Sequence, residues 1–341
     1  MPPEVIVIGA GVAGMTAASL LSETGIKVKL LEKENQLGGH LRKWDRLFPT
    51  LRPASEVLDY LQKGINKNID VLKEITVTDI KRQGNEFTVY LKDKDPVTGN
   101  AIILATGFDL FDAAKKEEYG YGIYDNVMTS ADLEAIFREG KKVVTASGKT
   151  PRRIGIAHCV GSRDEKVGNL YCSKVCCVTG VKQAIEIKQI LPGTEVYGFY
   201  MDLRMYDRNF EELYFEAQQK WGINFIRGRI SECAENEDQS ILIKTEDTLT
   251  GRPLKMTVDL LILLVGFVPS LETKRLALML GLESGCDGFL LPKDGHVQDN
   301  NSSIPGIFLT GALKGPATIV NAVADARATA IQVQLFLNSI V

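Results

Sequence analysis

The sequence predicts an α/β protein of two doubly wound domains, the second inserted into the first. Three observations carry this expectation. The 341 residues suit about two domains of ordinary size. The chain opens as strand, glycine turn, helix and strand, and a second strand–helix–strand unit begins at Arg153. A last strand, Gly306 to Thr310, leads into a long C-terminal helix. The expected boundaries are 1–112 with 268–341 for the first domain and 113–267 for the insert.

Composition narrows the function classes. Apolar residues are 45% and charged residues 24%, as in globular proteins. The net charge of −3 leaves no basic footprint for nucleic acid. The longest strongly apolar run, Leu260 to Val268, is far short of the ~20 residues of a membrane span. The N-terminus reads as a strand rather than a signal peptide. Six cysteines without a secretion signal point to a reducing, cytoplasmic setting and to metal or redox use.

The elements follow in order. Val5–Ile8 reads as a strand, 12–21 as a helix and 27–31 as the second strand, ending at Glu32. A helix is expected from about Pro53 to Lys63, then paired strands at 71–80 and 87–91. Asp95 to Asn100 reads as a turn before the apolar strand 101–104. Residues 112–149 read as a polar connector with one helix, 130–138. The second unit comprises strand 153–158, a cysteine segment, helix 175–190 and strand 195–201. A helix at 210–221 and strands over 230–264 follow, with a hairpin turn at 250–253. The closing helix is expected from about Pro316 to Asn338.

Gly9-Ala10-Gly11-Val12-Ala13-Gly14 is a Gly-x-Gly-x-x-Gly loop between strand and helix. Gly9 permits the turn, Gly11 lets backbone approach a pyrophosphate, and Gly14 lets helix and strand touch. The pyrophosphate then meets free N–H groups at the helix N-terminus. Glu32 ends the next strand, where a carboxylate accepts hydrogen bonds from ribose hydroxyls. Leu37-Gly38-Gly39-His40, Ala105-Thr106-Gly107 and the segment Gly311-Ala312 through Gly315-Pro316-Ala317 resemble the later FAD motifs of flavoproteins with two dinucleotide domains.

Cys159, Cys172, Cys176 and Cys177 are spaced C-x12-C-x3-C-C. Four thiolates around a helix start suit a [4Fe–4S] cluster. Zinc, a redox disulfide and unrelated buried thiols are the alternatives, although structural zinc pairs are usually closer in sequence. Cys233 and Cys286 stand alone and read as buried apolar thiols. The insert has no glycine loop of its own at 154–161, so a nicotinamide cradle is not expected there. Asp202 reads as a surface or helix-capping acid, and His158 as a packed histidine.

Nearly the whole chain resembles the A-type polypeptide of heterodisulfide reductase and its relatives. The most specific pieces are Cys159-Val160-Gly161-Ser162-Arg163-Asp164 and Tyr171-Cys172-Ser173-Lys174-Val175-Cys176-Cys177. The resemblance implies a thioredoxin-reductase-like flavoprotein with FAD and a [4Fe–4S] cluster on the four cysteines. It places Gly9, Gly11, Val12, Ala13 and Gly14 at the pyrophosphate, and Glu32 with Lys33 at the ribose. Gly38, Gly39 and His40 would line the phosphate and ribityl arm. Val77 would meet the adenine through its backbone, with Thr106 and Gly107 closing that side. Gly311, Ala312, Gly315, Pro316 and Ala317 would lie by the ribityl chain and ring.

The chain departs from the pattern in three places. Ala312 stands where many such flavoproteins have a ribityl-binding aspartate. Ferredoxin-like C-x2-C-x2-C runs are missing, and Leu51-Arg52-Pro53 replaces a segment that carries a cysteine in methanogens. The short form looks most like the A-type component of heterodisulfide-reductase-like complexes of sulfur oxidisers. The corresponding component of a quinone-interacting complex of sulfate reducers is the alternative, as is a cluster-free flavoprotein scaffold. The resemblance implies an electron-transfer subunit with a homodimeric core and with partners like the B and C components of heterodisulfide reductase. No residue reads as an acid–base catalyst.

Overall fold

The computed structural model describes residues 3–340. The chain divides into two compact units. The first comprises Met1–Arg42, Ala54–Asp109 and Val268–Val341, and the second Lys43–Pro53 with Leu110–Phe267. The short segment 43–53 thus groups with the second unit, whereas the sequence places it in the first.

The first unit centres on a five-stranded parallel sheet. Its order is Ile307–Leu309, Ala101–Leu104, Glu4–Ile8, Lys27–Leu31 and Ile69–Leu72. Val5 to Ile8 and Ala101 to Leu104, at its centre, are apolar throughout and buried, as a parallel sheet covered on both faces requires. Helix Val12–Glu23 buries Ala13, Met15, Ala17, Ala18 and Leu21. Val77–Gln83, Glu86–Leu91 and Lys94–Gly99 form a separate antiparallel sheet.

Two expectations are corrected here. The run 71–80 is not one strand, because Glu74 takes a left-handed conformation (φ +57°) and sends the chain from one sheet to the other. Asp95 to Asn100 is mostly an edge strand rather than a turn. Pro96 is tolerated because an edge strand can do without one ladder N–H. Helix Leu271–Leu280, capped by Ser270 Oγ on the Thr273 N–H (3.0 Å), is an element that the sequence pattern does not announce.

The second unit repeats the plan. Its parallel sheet runs Val127–Thr129, Leu260–Val265, Arg153–Val160, Glu195–Tyr200 and Asn224–Arg227. Glu232–Glu235, Ile241–Asp247 and Arg252–Val258 form its antiparallel sheet. The expected connector therefore supplies an edge strand as well as helix Ser130–Arg138. No helix among the described residues is long and apolar enough to cross a membrane.

Helix Cys176–Ile190 is anchored by a buried ion cluster. Lys182 is 0% exposed and pairs with Glu134 and, at 2.8 Å, with Glu186. The Trp44 ring lies 5.2 Å from its ammonium, and the Asp45 N–H donates to Glu134 at 3.0 Å. Burial pushes the Glu186 carboxyl from its ordinary 4.5 up to about 7. The folded state therefore favours the protonated acid. That stabilisation is complete below the ordinary value and is lost as pH rises through about 7. Glu186→Gln should accordingly raise the unfolding free energy at pH 8 by at most about 3 kcal/mol, seen as a higher melting temperature, and change little at pH 5. Equal shifts at both pH values would contradict this.

Candidate functional site

In the first unit the predicted glycine residues converge. Gly9 turns the chain at φ +104°, and a Cβ there would sit 2.5 Å from the Ala105 carbonyl oxygen. A Cβ on Gly14 would reach 1.8 Å from the Gly9 oxygen, so helix and loop touch only because Gly14 has no side chain. Gly11 differs: a Cβ there meets nothing within 4 Å. It is the N-cap of helix Val12–Glu23, no side chain caps that end, and the first turn holds no acid. The N–H groups of Val12, Ala13 and Gly14 thus head an uncapped helix beside open space, which favours an anion.

Glu32 braces this cradle. It is 6% exposed; its Oε2 accepts the Ala10 N–H (2.8 Å) and its Oε1 the Glu34 N–H (2.9 Å). Lys33 beside it is exposed. The Gly38 N–H donates to the Ala10 oxygen at 2.8 Å, and a Cβ on Gly39 would lie 3.2 Å from Gly11 Cα. The paired glycines therefore lie against the first loop. His40 Nε2 is 2.8 Å from the Phe108 carbonyl oxygen, with the two rings stacked at 4.3 Å.

The remaining predicted residues have these places. Val77 begins the antiparallel sheet and is buried. The Thr106 hydroxyl is 2.6 Å from that of Thr273, and Gly107 turns at φ +67°. A Cβ on Gly311 would reach 2.8 Å from Ala13 Cβ, which brings the C-terminal motif onto the glycine-loop helix. Gly311 and Ala312 lie in a 3-10 turn, while Gly315, Pro316 and Ala317 precede the last helix. That helix is Ile319–Ile340, so Pro316 is not its first residue. The Thr318 hydroxyl bonds both the side chain and the N–H of Asn321 and starts the helix later.

Asp325 is the residue here that sequence reading missed. Its carboxylate accepts the Gly311 N–H (2.6 Å), Lys314 Nζ (2.7 Å) and Asn300 Nδ2 (2.8 Å). It holds the turn in which Ala312 lacks a carboxylate. A lone acid in a helix gives no local signal.

In the second unit the parallel strand Arg153–Val160 bulges between Ala157 and Val160, and Cys159 takes φ +60°. Arg163 (φ +52°) and Lys174 (φ +58°) are also left-handed. Each such residue costs about 1–2 kcal/mol, and such strain is a pointer to function. The loop is locked nonetheless. Ser162 and Ser173 hydroxyls meet at 2.7 Å, and Ser173 Oγ accepts the Phe267 N–H at 2.9 Å. Asp164 is 1% exposed and pairs with Arg229 and, at 2.7 Å, with Lys116.

Three of the four predicted cysteines come together at the start of helix Cys176–Ile190. Hydrogen-bonding contacts with Cys176 lower Cys177 to about 4 and Cys159 to about 7, and the thiol of Cys176 is pushed up in return. His158 adds a hydrogen bond to Cys177. Cys172 is only half-buried, and its Sγ accepts the Lys174 N–H at 3.3 Å. The Arg163 guanidinium feels both Cys159 and Cys172. As it stands, no group of three His, Cys, Asp or Glu side chains among the described residues is arranged to hold a metal ion.

Three buried polar atoms near these cysteines lack a hydrogen-bond partner: His158 Nδ1, Arg163 Nη1 and Thr179 Oγ1. Asp202 is a surface acid, paired with Arg163 (2.8 Å) and Arg227 (3.3 Å), and caps no helix. Cys233 is buried, and desolvation pushes its thiol up to about 12. Cys286 is exposed, against the expectation of a buried thiol.

The family model described as pyridine nucleotide-disulphide oxidoreductase matches residues 3–326. The chain is 30% identical to the A-type component of the H(2):CoB-CoM heterodisulfide,ferredoxin reductase of Methanothermobacter thermautotrophicus, over 96% of this chain and 63% of that protein. It is 32% identical to the first of the A-type iron-sulfur components of the CoB--CoM heterodisulfide reductase of Methanopyrus kandleri, over 97% and 64%. It therefore spans less than two thirds of the length of these relatives. Among solved structures, the thioredoxin reductases of Lactococcus lactis (TM-score 0.68, 21% identity, 99% of both chains) and T. acidophilum (TM-score 0.68, 18% identity, 99% and 100%) share the fold. The fold is thus that of a thioredoxin-reductase-like flavoprotein with two Rossmann-type domains. With residues 3–326 matched, the chain belongs to the pyridine nucleotide-disulphide oxidoreductase family.

Proposed function

We propose that this chain is an FAD- and [4Fe–4S]-containing electron-transfer component of the heterodisulfide reductase A kind. In this reading it is the short form found in heterodisulfide-reductase-like complexes of sulfur oxidisers, with a homodimeric core and B- and C-like partners. The observation that carries the reading is the cysteine loop: three left-handed residues, the lowered thiols of Cys159 and Cys177, and unpaired buried polar atoms in one short stretch. Buried donors without acceptors cost about 1–3 kcal/mol each, and cluster sulfur is an acceptor that would relieve them. The relative from Methanopyrus kandleri is itself named an iron-sulfur protein of this kind.

Bound FAD would supply paired-electron transfer and the cluster single-electron transfer. The N–H groups of Val12, Ala13 and Gly14 would receive the pyrophosphate. Glu32, with lone pairs left beyond its two backbone bonds, would take the ribose. Cys159, Cys172, Cys176 and Cys177 would be the iron ligands. The Arg163 guanidinium would offset the cluster's negative charge, and Arg163 Nη1 and the Thr179 hydroxyl would be available to donate hydrogen bonds to its sulfur.

In the second unit the cysteine segment follows strand Arg153–Val160 where a nicotinamide-binding domain would have its phosphate loop. Direct reduction by a nicotinamide cofactor is therefore not expected. Mixing the flavin-loaded protein with stoichiometric NADH in a stopped-flow instrument should leave the flavin absorbance unchanged over seconds. Rapid bleaching would overturn the reading of this domain.

A further inference from the structure

We propose that the face of the second unit around Cys172 is a docking surface for an acidic electron-carrier protein. The inference rests on the cluster reading above and adds where a partner binds and what charge it carries.

Burial singles out this face. Cys159, Cys176 and Cys177 are buried, whereas Cys172 is half-buried. An electron carrier approaching the cysteine loop therefore has least protein to cross on the Cys172 side. Two large apolar side chains stand exposed there. Leu170, two residues before Cys172, is 72% exposed. Tyr206 is 67% exposed and lies close enough to feel the charges of Asp207, Cys172 and Arg204. Exposed apolar groups rimmed by charge are characteristic of protein-binding surfaces.

The charge around them is unequal. Asp164 has its charge answered inside the unit by Lys116 and Arg229, and Asp202 by Arg163 and Arg227. Of the rest between 163 and 174 and between 202 and 208, Lys174, Arg204 and Arg208 are exposed cations, while Lys166, also exposed, is 4.0 Å from Glu118. Only Glu165 and Asp207 are exposed acids. The whole chain is net −3, so a locally positive rim is not a consequence of composition. A partner with a negative face would be steered to it, and a basic one repelled.

The test uses the full chain, loaded with FAD and iron, and an oxidised plant-type [2Fe–2S] ferredoxin as an acidic probe. Cytochrome c serves as a basic probe. Isothermal titration at low ionic strength should detect the ferredoxin and not the cytochrome, and the affinity should fade by about 0.5 M salt. Arg204→Glu combined with Arg208→Glu should weaken ferredoxin binding about tenfold or more. Leu170→Asp should weaken it at every salt concentration at which wild-type binding is measurable. Iron content and the electron paramagnetic resonance spectrum, read on the same samples, report on the cluster separately. Missing iron alongside intact ferredoxin binding would sink the cluster reading and not the surface. Absent ferredoxin binding, or binding indifferent to the charge reversal, would overturn the surface. So would a Leu170→Asp chain that changes its oligomeric state in light scattering, because the face would then belong to a second copy.

Discussion

Replacing Cys177 by serine should reduce bound iron to less than about a tenth of the wild-type level, with FAD retained. Loss of groups that merely support a metal ligand costs about 10–100-fold in affinity, so loss of a ligand should do at least as much. Cys177 sits in the first turn of helix Cys176–Ile190 and is the strongest acid of the linked thiols, lowered to about 4 by its bond to Cys176. It is the thiolate most ready to ligate at neutral pH. Serine is nearly isosteric, so the buried site keeps its packing and the unit should stay folded. Cys233→Ser and Cys286→Ser are the controls. The first lies in the antiparallel sheet with its thiol pushed up by burial, and the second is exposed in the other unit. Both variants should keep full iron. A Cys233 variant without iron beside a Cys177 variant with it would refute the ligand set.

Gly11→Val should leave the apoprotein as stable as wild type, within about 0.5 kcal/mol, and weaken FAD binding at least about 100-fold. Its φ of −75° suits any residue, and a Cβ there touches no protein atom within 4 Å. A side chain would occupy only the open space proposed for the pyrophosphate. Gly14→Ala makes the contrast: its methyl would collide with the Gly9 oxygen at 1.8 Å, so loop and helix must separate and the apoprotein itself should lose stability. Thermal melts of the two apoproteins, with FAD titrations by fluorescence, check the pair. A Gly11→Val protein purified with a full complement of FAD would show that the cradle is not where the pyrophosphate lies.

The contrast between these two regions shows what the sequence can convey. The glycine loop is legible because its geometry is encoded by consecutive residues. Turn, close approach and helix start each need a particular glycine. Glu32 is legible because it ends the neighbouring parallel strand. Asp325 is not, because its bond to Gly311 joins a helix to a turn well before it in the chain. The same holds for elements. The break at Lys73–Glu74 lies in a single left-handed residue, which no apolar pattern records. Helix Leu271–Leu280 escapes notice because its buried face is only Thr273, Leu276 and Ala277. In the cysteine segment the spacing is visible, but the strain at Cys159, Arg163 and Lys174 and the unpaired Arg163 Nη1 are not. Those features arise from how a bulged strand, two buried serines and a helix end are held together.

The cofactor content of the chain purified without oxygen tests the paired flavin and cluster most directly. Iron, acid-labile sulfide, zinc and FAD would be determined per chain, with the electron paramagnetic resonance spectrum of the dithionite-reduced protein. About four iron and four sulfide with one FAD are expected, and a spectrum typical of a reduced [4Fe–4S] cluster. One FAD accompanied by zinc, or by no metal and no sulfide, would contradict it.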